Sequence, residues 1–144
     1  MKSKLTTYFL LTIGLLTLCT LLFAHHGTGV SYDNAKAFTV KATVTEFRYA
    51  NPHPQLYFDV KDDKGTVEHW SGELAPNPAQ LIQAGWGKKR SEAALAPGTE
   101  IMVTIAPARA GGPVGLIQKI VNSQGEQVLG AIALGPPPGA EGKQ

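Results

Sequence analysis

The stretch FTVKATVTEFRY, residues 38–49, decides the fold. Apolar and polar side chains alternate through its first seven residues, a pattern typical of a β-strand that is buried on one face. After Glu46 the apolar positions move by one residue, to Phe47 and Tyr49. Such a shift predicts a bulge or a sharp bend inside one long strand, because a one-residue slip otherwise turns every later side chain to the wrong face. A long, bent first strand favours a small β-barrel.

The order of the later elements narrows the architecture. Two prolines predict an extended turn at 51–54, and Asn77 before Pro78 predicts the N-cap of a short helix that Gly85 ends. The elements predicted after the first strand are, in order, a strand near 56–60, a hairpin turn at 62–65, a strand at 66–74, a helix at 79–84, and strands at 101–105, 116–121 and near 128. A helix between the third and fourth strands is typical of an OB-like barrel, whereas a β-sandwich does not account for such a helix. We therefore predict an all-β fold with one short helix, a small OB-like Greek-key β-barrel over residues 38–130.

The first 24 residues have the composition of a secretory signal peptide. Lys2 and Lys4 provide a positive start, an apolar run follows from 8 to 23, and Ala24 supplies the small residue at the cleavage point. The run falls short of the roughly 20 residues that a membrane-spanning helix needs. We therefore predict a signal peptide at 1–24.

Cleavage after the predicted signal makes His25 the first residue of a mature protein in the periplasm. Leu22, at the third position before the cut, is larger than signal peptidase prefers, so the cut site stays open by a few residues. A lipoprotein is the alternative because the signal contains Cys19. The residue before it, Leu18, is not the small residue that lipidation requires.

The predicted mature chain has 120 of the 144 residues, because the first 24 are removed. That length suffices for one domain with its own core. We divide it into an N-terminal arm at 25–37, the barrel domain at 38–130 and a disordered Pro/Gly-rich tail at 131–144. The chain has 13 Lys and Arg and 11 Asp and Glu, and two of the lysines leave with the signal, so the mature charges balance. A neutral chain lacks the basic groove that nucleic acids require, so we expect no nucleic-acid partner, and no stable membrane insertion after cleavage.

The mature chain contains no cysteine, because Cys19 lies in the signal peptide. This excludes disulfides, thiolate metal sites and cysteine nucleophiles, and leaves imidazole, amine, carboxylate and thioether groups as metal ligands. No serine stands in a G-x-S-x-G context, no H-E-x-x-H occurs, and the acidic residues show no pairing suited to acid–base catalysis. We therefore expect a binding protein rather than an enzyme.

His25 and His26 are the most specific candidate metal ligands in the sequence. An N-terminal histidine offers its α-amine and its imidazole to one ion, and His26 can add a second imidazole. Nitrogen ligands without thiolate favour Cu(II), then Ni(II) or Zn(II). The sequence therefore indicates copper as the possible cofactor. The simpler alternative is a solvated end that binds metal as any histidine-rich terminus does.

His53 is a third candidate ligand. The prolines on either side lower the entropy cost of presenting its ring. A turn histidine whose ring nitrogen bonds a nearby carbonyl group is the alternative. The arm at 25–37 spans at most about 40 Å when extended, so geometry allows His25 to meet it.

His69, the fourth candidate metal ligand, lies in the third predicted strand beside Trp70. If Trp70 points inward, strand alternation turns His69 outward together with Glu73. We expect a ligand-binding face that includes Tyr57, Trp70 and Glu73. The alternative is the solvated exterior of the barrel.

Five short motifs occur together in the chain. They are Ala24-His25-His26 at the signal junction, Asn51-Pro52-His53, Trp70 with Glu73, Gly85-Trp86, and Pro97-Gly98. In this combination the chain resembles an uncharacterised family of small secreted bacterial proteins, a domain of unknown function, over roughly residues 24–130. The resemblance implies an exported, single-domain, OB-like periplasmic barrel and no established activity. Members commonly carry an aromatic soon after the histidine pair, as in His-His-Ser-Phe, whereas Gly-Thr-Gly-Val follows it here at 27–30.

These observations lead to one hypothesis and one alternative. The hypothesis is an exported periplasmic barrel that binds a transition metal, copper first, through His25 with help from His26 and from His53 or His69. The alternative is a binding module for a periplasmic protein or a small molecule that uses the face around His53, Tyr57 and His69.

Overall fold

The computed structural model describes residues 31–129, which form a barrel with short helices attached. Its strands are β1 (Phe38–Arg48), β2 (Gln55–Lys61), β3 (Val67–Leu74), β4 (Glu100–Pro107), β5 (Val114–Asn122) and β6 (Gln127–Val128). Its α-helices are α1 (Pro78–Gln83) and α2 (Lys88–Ala94), and a 3₁₀ helix (Asn34–Lys36) precedes β1. None of the helices in this part of the chain is long and apolar enough to cross a membrane.

Several predictions fall outside the described residues. These are the signal peptide at 1–24, the ligands His25 and His26, and the tail at 131–144. The division of the chain into signal, arm, barrel and tail therefore stays a prediction.

The bulge predicted in the first strand is present. The register between β1 and β2 shifts between Val44 and Glu46, so Thr45 is the extra residue. Val44 faces the core before the bulge and Phe47 faces it after, and both are buried. The first half of β1 pairs with β4 and the second half with β2. The bend thus lets one strand belong to both walls of the barrel.

The strand pairing closes the sheet into a five-stranded barrel. Neighbouring strands run in the order β3-β2-β1-β4-β5, and β3 pairs in parallel with β5 to complete the ring. The short β6 extends the sheet beside the second half of β5. This connectivity, with the helices between β3 and β4, is that of a small OB-like Greek-key barrel and confirms the predicted fold class.

Two glycines allow β3 and β5 to meet. A Cβ atom added to Gly72 would lie 2.5 Å from Cγ1 of Ile117. One added to Gly115 would overlap the backbone carbonyl oxygen of Ala106 and lie 2.6 Å from Cγ1 of Ile105. Neither position has room for a methyl group, so the closing seam of the barrel requires glycine on both strands.

The helix α1 begins where the sequence predicted. The Asn77 side chain accepts a hydrogen bond from the Gln80 backbone N–H at 3.0 Å, and the Gln80 side chain accepts one from the Asn77 N–H at 2.9 Å. This reciprocal pair is a capping box. Leu81 of α1 is fully buried in the core, so the short helix closes one end of the barrel.

The second helix, α2, was not predicted from the sequence. It starts after Gly87, which makes no side-chain cap hydrogen bond, and its first turn carries three basic residues that the helix dipole disfavours. Trp86 before it and Leu95 after it are both buried in the core. The helix therefore forms because its two ends are packed, and short helices depend on such packing.

The described part of the arm lies against β4 and β5. The Asp33 N–H donates to the carbonyl oxygen of Pro107 at 2.9 Å, and the buried Asn34 accepts a hydrogen bond from Nε2 of the buried Gln118, also at 2.9 Å. Leu116 is 0% exposed although it lies outside the core cluster. Its register partner on β3 is Glu73, which interacts with Tyr32 of the arm, so the arm crosses the sheet beside Leu116.

Candidate functional site

The turn between β1 and β2 fixes the ring of the half-buried His53. Its Nδ1 lies 3.1 Å from the carbonyl oxygen of Leu74. A carbonyl oxygen only accepts, so Nδ1 carries the proton and the neutral ring keeps a lone pair on Nε2. The predicted alternative, a turn histidine that bonds a carbonyl, describes this contact. It does not exclude a ligand role, because metal-binding histidines commonly donate their other ring N–H to a carbonyl or a carboxylate.

His69 is held by a carboxylate on the neighbouring strand. Its Nδ1 lies 2.6 Å from Oδ1 of Asp59, its register partner on β2. A carboxylate oxygen accepts, so Nδ1 carries a proton, and the deprotonated nitrogen that a metal ion needs is Nε2. The His69 side chain is 82% exposed, which leaves that nitrogen open to solvent.

The predicted ligand face is divided between the two sides of the sheet. The Trp70 ring stacks on its register partner Phe58, with 6.4 Å between centroids, and meets the ring of Phe38 edge-on at 5.5 Å. It therefore packs toward the core. Tyr57 and Glu73 alternate with these inward positions and face outward. Tyr57 and Glu73 share the outer side with His69, while Trp70, which packs inward, still contributes with Tyr57 and His69 to the lining of one groove.

A connected set of polar side chains covers the outer surface of β1 and β2. Arg48 donates to Glu46 twice, from Nε at 2.6 Å and from Nη2 at 3.0 Å. The Arg48 guanidinium lies 4.6 Å from the centroid of the Tyr57 ring, and the Tyr57 hydroxyl donates to Oε1 of Gln55 at 2.7 Å. The hydrogen bond from Arg48 lowers the pKa of the Glu46 carboxyl group, which favours the ionised pair. These contacts hold an arginine and a tyrosine in fixed positions on an exposed surface.

A groove of about 510 Å³, here called the β2–β3 groove, lies beside this set. Its lining includes Tyr57, Asp59, His69, Trp70 and Ser71 from the strands and Val114 at the start of β5. It therefore offers an aromatic ring, an imidazole, a carboxylate and a hydroxyl group within one depression. A groove of this size fits a small polar molecule or a few residues of a peptide.

Tyr32 fastens the arm to the barrel. Burial, together with the charge of the Glu73 carboxylate and a hydrogen bond to it, raises the pKa of Tyr32 to about 12. Tyr32 also forms a β-bridge with Ala108, and the next backbone contact joins the Arg109 N–H to the carbonyl oxygen of Ser31 at 2.9 Å. The sequence reasoning missed Tyr32. The signal that could have found it is an aromatic residue in an otherwise polar arm.

This anchor lies between the two described histidines. His69 and Glu73 face the same side of β3 four residues apart, which is about 13 Å along a strand. Leu74, whose carbonyl holds His53, directly follows Glu73. The structure thus places His53 and His69 on opposite sides of the arm's anchor and does not bring them together.

Of the four metal ligands predicted from the sequence, the structure describes two, His53 and His69. Within residues 31–129, no three His, Cys, Asp or Glu side chains lie close enough to hold a metal ion. His25 and His26 lie outside the described residues, so their convergence with His53 or His69 stays a prediction.

Comparison with known proteins places the chain in a family. A family of unknown function, DUF6152, matches residues 14–118. The chain belongs to this family. The match confirms the expected resemblance to an uncharacterised domain. No curated protein and no solved structure matches the chain significantly. Since the family has no established function, the function of the protein has to be argued from its own side chains.

Proposed function

We propose that the protein is an exported, non-enzymatic binding protein of the periplasm that takes up a transition-metal ion, Cu(II) first, through His25 and His26. Cleavage after Ala24 frees the α-amine of His25, whose ordinary pKa is about 7.7–8.0. The amine and the ring nitrogen close a small chelate around one ion, and His26 adds a second imidazole. Nitrogen donors without thiolate favour Cu(II).

The observation that best supports this proposal is the position of the arm's anchor. His26 lies six positions before Tyr32 in the chain, and six extended residues span at most about 20 Å. On either side of the Tyr32–Glu73 contact stands a histidine whose Nδ1 is already engaged, His53 by a carbonyl and His69 by Asp59. Each keeps Nε2 for a ligand. One of them can therefore complete a site that His25 and His26 begin.

The test is Cu(II) affinity, measured by competition with a chelator on tag-free protein purified from the periplasm. Intact mass first establishes that the chain starts at His25. We expect one tight equivalent of copper, and at least tenfold weaker binding after the α-amine of His25 is acetylated, because the resulting amide nitrogen no longer offers its lone pair to the chelate. Affinity should fall as the pH drops below about 6, since imidazoles bind metal only when deprotonated. Equal affinity with and without the acetyl group contradicts the proposal.

Two further variants identify the completing histidine. Loss of a histidine ligand or of the carboxylate that orients it typically costs about 10–100-fold in metal affinity. His69→Ala and Asp59→Asn should weaken copper binding together if His69 is the ligand, whereas His53→Ala should do so alone if His53 is. Lys88→Gln, on α2 and outside the depressions that Asp59 and His69 line, serves as the matched control.

A second candidate function is a binding module for a periplasmic protein or a small molecule. The fixed Arg48–Tyr57 pair beside the β2–β3 groove favours it, because strands 2 and 3 carry the ligand surface in many OB barrels. Under this alternative, Arg48→Ala and Tyr57→Ala abolish capture of a partner while copper affinity stays unchanged. Under the metal proposal, neither substitution alters copper affinity and no partner depends on them.

A further inference from the structure

A second groove lies between α2 and the hairpin that joins β5 to β6, and it has no part in the proposed metal site. Its volume is about 840 Å³. The buried residues Trp86 and Val128 contribute to its lining, Arg90 lies on the helical side, and Gln124 and Gln127 lie on the hairpin side. Grooves of this size accommodate a drug-sized ligand.

Arg90 is held in place from two directions. Its guanidinium lies 3.9 Å from the centroid of the Trp86 ring, and its Nη1 donates to the carbonyl oxygen of Gly85 at 2.9 Å. Stacking on an indole and a hydrogen bond to a fixed carbonyl orient the guanidinium plane. Only one of its five N–H groups is used by the Gly85 contact, so the others stay available to an acceptor in the groove.

The charges around Arg90 favour an anion. Within residues 31–129, the other two arginines each approach a carboxylate, Arg48 at 2.6 Å and Arg109 at 3.9 Å, whereas no ion pair joins Arg90 to an acid. Lys88 and Lys89 precede Arg90 in the chain. The ion pair of Lys88 with Glu92 is long, with 3.8 Å between Nζ and Oε1.

The opposite wall carries one acid, Glu126. Its Oε2 accepts a hydrogen bond from the Asn122 side chain at 3.2 Å. The positive charges of Lys88, Lys89 and Arg90 thus outnumber the two negative charges nearby, those of Glu92 and Glu126. The amide groups of Gln124 and Gln127 add hydrogen-bond donors on that wall.

We infer that this groove binds an organic carboxylate, with the carboxyl group paired to Arg90 and the apolar part of the ligand packed against Ala93 and Val128. A planar guanidinium presents two parallel N–H groups that match the two oxygens of a carboxylate. The carboxylate can belong to a small organic acid or to an acidic side chain of a peptide. Both sources share the chemistry that Arg90 recognises.

Nuclear magnetic resonance tests the inference on the intact mature protein. The chain has two tryptophans, so the indole N–H signal of Trp86 can be followed beside that of Trp70 as an internal reference. The probes are succinate, citrate, benzoate and a blocked tetraglutamate peptide. We expect at least one probe to move the Trp86 signal saturably, with a dissociation constant below about 1 mM, which is about 4 kcal/mol of binding free energy.

Substitutions of Arg90 decide the outcome. Arg90→Gln keeps a polar side chain without the charge and should weaken binding at least tenfold. Arg90→Lys keeps the charge without the planar fork, and should also weaken it, which preserves the test if the glutamine variant unfolds. Arg109→Gln, in the loop after β4 and outside the lining of this groove, should bind as the unchanged protein does. No saturable shift with any probe up to 10 mM, roughly the weak end of specific binding, overturns the inference. Equal binding by the Arg90 variants overturns it as well.

Discussion

Replacement of Gly115 by alanine should destabilise the barrel more than any other single added methyl group at a described glycine. The new Cβ would overlap the backbone carbonyl oxygen of Ala106 and lie 2.6 Å from Cγ1 of Ile105. Overpacking of a core usually costs about 1–3 kcal/mol. A backbone oxygen cannot rotate out of the way as a side chain can, so we expect the upper end of that range. Because about 1 kcal/mol lowers the Tm of a 100-residue domain by roughly 4 °C or more, the expected loss is about 12 °C.

Thermal unfolding followed by circular dichroism measures this loss, with two related variants for comparison. Gly72→Ala should be milder than Gly115→Ala, because the new methyl group meets the Ile117 side chain, which can change rotamer. Gly87→Ala is the control, since its φ of −64° suits any residue and nothing lies within 4 Å of the added Cβ. A Tm for Gly115→Ala that matches the Gly87→Ala value would refute the argument that the β3–β5 seam requires glycine.

Three further predictions concern the arm and the helices. The phenol of Tyr32, with its pKa raised to about 12, should titrate after an ordinary tyrosine in an alkaline absorbance titration. Because the unfolded chain loses that proton first, near pH 10, stability should fall between about pH 10 and pH 12, and Tyr32→Phe should make this slope shallower. Asn34→Ala leaves the buried Nε2 of Gln118 without its 2.9 Å partner and should cost about 1–3 kcal/mol in urea unfolding. Asn77→Ala removes the capping box and should cost about 1 kcal/mol in the same assay, whereas Gln80→Ala, which removes only its reciprocal half, should cost less.

Local signals in the sequence were sufficient to predict the barrel. The one-residue slip after Glu46 placed the bulge, and Asn77 before Pro78 placed the start of α1, because both features depend on neighbours along the chain. The helix α2 has no such local signal. Gly87 is a weak N-cap and the basic first turn opposes the helix dipole, so only the burial of Trp86 and Leu95 explains it.

The candidate site was harder to predict because its contacts join distant parts of the chain. Strand alternation turned His69 outward as expected once Trp70 was found to point inward. That Asp59 would hold the His69 ring depends on the register of β2 against β3, which no local pattern specifies. The contact between Tyr32 and Glu73 likewise depends on how the arm crosses the closed barrel.

The arm stabilises the barrel and also carries the proposed metal ligands, but the stability of the fold and the affinity for metal are separate properties. Residues 31–37 contribute the hydrogen bond to Gln118 and the Tyr32 anchor, and both stabilise the fold whether or not a metal is bound. His25 and His26 precede this anchored segment in the chain. Changes at the histidine pair should therefore alter metal affinity and leave the unfolding of the apo-protein unchanged, whereas loss of the Tyr32 anchor should weaken both. A metal site built onto the folded barrel should lose affinity when the Tyr32 anchor is removed. A histidine-rich end that binds metal independently of the fold should keep its affinity.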